Sequence, residues 1–176
     1  MATAEKRDVT LKIMCENLAA FAVDREDIKQ LLATLPEDDS VKTVTVEYEL
    51  QLLKIISAGW AINVYMDGKE GKEALAEHFW LIIREFSKSL SETLHLTTGA
   101  DVDYFETLKK RLNTYLAAME NAGSGEPTQA VGPEFARLCD APDNAFVSLN
   151  GARIFHLTVT AVQEYVESVT IVAESA

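Results

Sequence analysis

The chain has 176 residues, 16 of them basic and 28 acidic, for a net charge of −12. With 48% apolar and 25% charged residues, the composition is that of one globular domain and not of a disordered or fibrous chain. So acidic a chain repels phosphate backbones, and its densest basic cluster, Lys109-Lys110-Arg111, fans over several faces of a helix, so no nucleic-acid partner is expected.

The first eight residues are polar and lack the apolar stretch of a secretory signal. From Asp8 to Leu35, apolar residues return every three or four positions: Leu11, Met14, Leu18 and Phe21, then Ile28, Leu31, Leu32 and Leu35. That spacing predicts two short helices or one bent helix, stopped by Pro36, which cannot continue the hydrogen-bond ladder. Asp39 or Ser40 offers a side-chain oxygen to cap the next helix.

Val41 to Met66 predicts a long central helix that is apolar over most of its circumference, with a polar seam at Thr43, Glu47, Gln51 and Lys54. Its longest charge-free run, Ile55 to Met66, holds 12 residues where a membrane span needs roughly 20, so no membrane association is expected. Asp67-Gly68 ends it. A third long helix is predicted from Lys69 to about Leu96, closed by Thr97-Thr98-Gly99. Asp103, with Glu106 three residues on, reads as a capping box that opens a fourth helix along Phe105, Leu108, Leu112, Tyr115 and Met119.

Residues 120–132, with three glycines and a proline, read as a mobile linker. Pro133 is placed to start a short helix to about Cys139. Ala145 to about Ala173 has two readings. The helical period predicts one long helix. Asn150-Gly151 between apolar runs is a strong hairpin signal, and the β-branched residues near Val169–Val172 weaken a helix. The helix is favoured because no convincing partner strand is visible.

The expected fold is therefore all-α, a single domain over residues 1–176 forming an irregular antiparallel bundle of five or six helices. The minor alternative is α+β with a hairpin around Asn150-Gly151.

No phosphate-binding glycine loop and no serine-hydrolase elbow is present, and no catalytic residue or cofactor is expected. Cys15 and Cys139 stand far apart, outside any C-x-x-C, and read as buried thiols in a reducing cytoplasm. Cys139 precedes Asp140, which opposes thiolate formation. Glu92 and His95 form a single E-x-x-H, the half-motif of a carboxylate metal centre, or equally a surface pair near a helix end. Trp60, Asn63 and Tyr65 precede the Gly68–Gly71 connection and His78 and Trp80 follow it. Such amphipathic aromatics either line a small-ligand cleft or pack in a core. The leading functional expectation is a non-enzymatic protein acting through protein–protein contact, as a homodimer, by an apolar helix face. The alternative is a bundle that binds a small ligand or metal at one of these two sites.

Overall fold

A computed structural model describes residues 5–123 and 125–174. It shows an all-α bundle, 74% helical, with one two-stranded parallel sheet. In chain order the elements are β1 (Arg7–Thr10), α1 (Leu11–Val23), α2 (Glu26–Ala33), α3 (Thr43–Tyr65), α4 (Lys72–Thr98), α5 (Tyr104–Asn121), α6 (Pro127–Leu138), α7 (Ala145–Ser168) and β2 (Val169–Val172). The chain divides into two compact units, and α3, α5 and α7 each contribute residues to both.

Among the described residues, the first unit comprises residues 5–22, 58–107 and 159–174. Its core includes Met14, Leu18, Ile62, Phe79, Ile83 and Val166. The sheet lies here, with Arg7 opposite Val169 and Thr10 opposite Val172. This corrects the expectation that helix continues to about Ala173. Ser168 turns its hydroxyl onto the Tyr165 carbonyl at 2.8 Å, and Val-Thr-Ile-Val then takes the extended form that β-branched residues prefer. Its partner strand, Arg7–Thr10, has only one buried residue, Val9, and so carries no alternating apolar signal. Gly99 closes α4, its amide bonding the His95 carbonyl at 2.8 Å.

The second unit comprises residues 23–57 and 108–158. Ile28, Leu50, Leu53, Phe135, Val147 and Ile154 are in its core. The polar seam expected on α3 runs inward in part. Lys54 is fully buried, with Nζ 2.8 Å from the Asp24 carbonyl and 3.1 Å from the Asp27 carboxylate. Glu49, close to the seam residue Glu47 in sequence, is also buried and takes a two-pronged bond from Arg111 at 2.7 and 2.9 Å. Arg25 pairs with Glu47, so the α1–α2 corner is tied to α3 by this pair and by those of Lys54 with Asp27 and Asp24. Paired charges can be buried where unpaired ones cannot.

Asn150-Gly151 lies inside α7, so the hairpin alternative does not form. The two residues serve packing. A Cβ on Gly151 would stand 2.5 Å from the Phe135 Cβ, and the Asn150 amide donates to the Leu31 carbonyl at 3.4 Å. The expected linker is also shorter. α5 runs through Asn121 and α6 starts at Pro127, leaving residues 122–126 between them, of which Ser124 is outside the described residues. Pro127 occupies the first helical turn, where a missing N–H costs nothing, while Pro133 lies within the helix it was expected to start.

At 24 residues, α7 is long and apolar enough to cross a membrane by length and composition. It carries Arg153, Glu164 and Glu167, and buries Val147, Ile154, Val162 and Val166, the pattern of a core helix with one exposed face.

Candidate functional site

Of the residues singled out near the α3–α4 junction, Trp80 and His78 have surroundings that can be described closely. Trp80 packs against α3: a Cβ on Gly59 would stand 2.4 Å from its ring, so the indole lies where only glycine leaves room. It also meets the Phe79 ring edge-on at 5.2 Å. Trp60 and Tyr65 are half-buried and Asn63 is exposed, and the walls of the cleft beside His78 are formed by other residues.

His78 lies two positions before Trp80, turned about 200° around α4, and borders a cleft of about 930 Å³ within the first unit. Its walls reflect helical spacing. Leu11 and Cys15 are one turn apart on α1, as are His78 and Ile82 on α4, so each pair presents one face. The chain from Ile171 to Glu174 supplies the third wall. Gly71, in the left-handed region at φ 84°, lies beneath Leu11 and Ile171, where an added Cβ would come within 3.3 Å of the leucine.

The polar groups of the cleft are few. The His78 Nδ1 is 2.8 Å from the Ala74 carbonyl. A carbonyl only accepts, so Nδ1 carries the hydrogen, and in the neutral ring Nε2 is left as an acceptor. Lys12 supplies one cation, and Glu16, Glu70 and Glu174 supply three carboxylates. Cys15 borders the cleft but is held as a thiol. Its Sγ donates to the Leu75 carbonyl at 3.9 Å, and burial, with Glu16 nearby, pushes its pKa up from 9.0 to about 11.

Cys139, in the second unit, is raised from 9.0 to about 12 by burial and by Glu49. Both cysteines are free. Thiol reagents are therefore expected to label the native protein far more slowly than the unfolded chain in mildly alkaline buffer, read by absorbance with and without denaturant. The same shifts make stability depend on pH. A folded pKa above the unfolded one contributes stability that is complete below 9.0 and is lost as pH rises towards about 11 and 12. The urea midpoint should accordingly fall across that alkaline range, and less steeply in Cys15→Ala once each protein is compared with itself at neutral pH.

The half-motif at the end of α4 does not gather a metal set. Glu92 and His95 are both exposed, and His95 Nδ1 pairs with Asp101 at 2.9 Å. Among the described residues no group of three or more His, Cys, Asp or Glu side chains is placed to hold a metal ion.

The cleft was legible only in fragments. His78 stands out as a polar-tipped ring on an apolar helix. Leu11 read as core periodicity and Cys15 as a buried thiol, and Ile171 belongs to a strand whose partner lies at the other end of the sequence.

No protein-family model, curated protein or solved structure matches this chain.

Proposed function

We propose that this chain is a non-enzymatic helical binding protein whose ligand sits in the cleft between α1, α4 and the end of β2 with the two residues that follow it. The observation that carries the reading is the cleft itself. Its volume of about 930 Å³ lies within the range of small-molecule sites, and its walls are apolar with a few polar groups at fixed places. The nearest sulfur is a protonated thiol, which suits binding better than covalent chemistry. Two free, buried thiols fit a reducing compartment such as the cytoplasm.

A thermal-shift screen of small amphipathic compounds tests the proposal. A ligand present at about 100 times its dissociation constant adds about 2.7 kcal/mol, an easily read rise in melting temperature. Ile82→Trp, which puts an indole into the cleft from a 37%-exposed position, should abolish the shift. Shifts that survive Ile82→Trp, or a screen without shifts, would overturn the reading.

A second reading, protein–protein contact as a homodimer, is favoured by a different observation. In the late turns of the apolar helix α3, Ala58, Ala61 and Ile62 are at most 1% exposed. The exposed apolar stripe lies on α7 instead, where Phe146, Leu149 and Leu157 are 55%, 45% and 49% exposed. Their spacing of three and eight residues puts them along one side of the helix. Light scattering across a concentration series should show a dimer that Leu149→Asp together with Leu157→Asp converts to a monomer. A wild-type monomer at every concentration removes this reading.

A further inference from the structure

The groups around the cleft differ in what they can give a ligand. The walls at Leu11, Ile82 and Ile171 take an apolar body. With Nδ1–H on the Ala74 carbonyl, the neutral form of His78 offers an acceptor at Nε2. Glu16, Glu70 and Glu174 are acceptors as well, and no ion pair engages any of them among the described residues. Lys12 is the single cationic donor, so one positive and three negative side chains leave the cleft at −2 with His78 neutral. The carboxylates form no metal-holding cluster, so a bare inorganic cation is not what they suit.

We infer that the occupant is a small amphiphile with an apolar body and one cationic, hydrogen-bond-donating end, of the class of hydrophobic amines. The inference rests on the cleft being the ligand site and adds the chemistry of what it selects. The apolar body replaces water along the walls, a contribution that does not depend on charge. The ammonium end meets an excess of carboxylates and a ring acceptor, whereas an anionic end would meet the same carboxylates as like charges. The charged part of the affinity is exposed to solvent and should fall with added salt, while the apolar part should not.

Three probes of one shape separate these contributions: phenylpropylamine, phenylpropanol and phenylpropionate, titrated into the full chain by calorimetry at low and high salt. The amine is expected to bind at least about tenfold more tightly than the propionate at low salt, with the alcohol between them. Salt should narrow the difference. Combining Glu16→Gln, Glu70→Gln and Glu174→Gln, all exposed positions, should bring the amine to the affinity of the alcohol, and Ile82→Trp should remove binding of all three. If the alcohol binds and is lost in Ile82→Trp but the amine has no advantage, the cleft is a ligand site and the charge selection is wrong. An advantage for the propionate overturns the selection in the same way. If no probe binds, or if amine binding survives Ile82→Trp, both the selection and the site are overturned.

Discussion

Asp27→Ala is expected to destabilise the protein by about 2–3 kcal/mol, and Lys54→Met by less than about 1 kcal/mol, although the second change removes the more deeply buried group. The Lys54 side chain is wholly buried, while its partners Asp27 and Asp24 keep 35% and 56% of their side chains exposed. Removing Asp27 leaves an ammonium enclosed with less compensation: the Asp24 carbonyl at 2.8 Å and the Asp24 carboxylate at 4.0 Å remain. Removing the lysine leaves two carboxylates that water already reaches, and the methionine side chain fills most of the vacated volume. The double variant should then resemble Lys54→Met, so the two changes are strongly non-additive. Urea denaturation of all four proteins completes the cycle. Equal losses in the two single variants would mean that the pair contributes as packing and not as compensated charge.

The second large effect sets local propensity against packing. In a helix interior alanine is favoured over glycine by about 1 kcal/mol, so Gly151→Ala in α7 should stabilise if propensity decides. The added Cβ would stand 2.5 Å from both Cβ and Cγ of Phe135. A phenylalanine Cβ is fixed to its backbone, and no rotamer change moves it away. α6 must shift, and forced overpacking of this kind costs about 1–3 kcal/mol. Packing should prevail, with a net loss of about 1 kcal/mol in the urea midpoint analysis. Gly59→Ala is the comparison. There the closest atom is on the outer ring of Trp80 at 2.4 Å, the far end of a side chain that can swing, so the loss should be smaller. A gain in stability for Gly151→Ala would show that α6 is free to give way.

The features legible along the chain obey local rules. The stretches over α3, α4 and α5 are repeating apolar faces with recognisable ends: Gly99 caps α4, and the Asp103 carboxylate accepts the Glu106 amide at 2.9 Å to open α5. These signals lie within one or two turns of the residues they govern. Asn150-Gly151 marks their limit. The pair has the local chemistry of a turn, but Phe135 and Leu31, distant in sequence, occupy the space and the carbonyl that explain it.

The candidate site divides in the same way. His78 and the Gly68–Gly71 connection were visible as a place where polar-tipped residues gather near a junction, and the cleft includes His78 and Gly71 of that region. Trp80 carried the same signal and packs against Gly59 instead, since amphipathic aromatics look alike whether they line a cleft or a core. The amino-acid order by itself determined an acidic, helical chain, because charge and helical period are properties of neighbours. Tertiary structure alone decided that Arg7–Thr10 and Val169–Val172 pair, that Lys54 and Glu49 are buried with partners, and that a cleft opens beside His78. Each of those outcomes depends on groups far apart in the chain, whose meeting is set by how the helices pack and not by any residue's own preference.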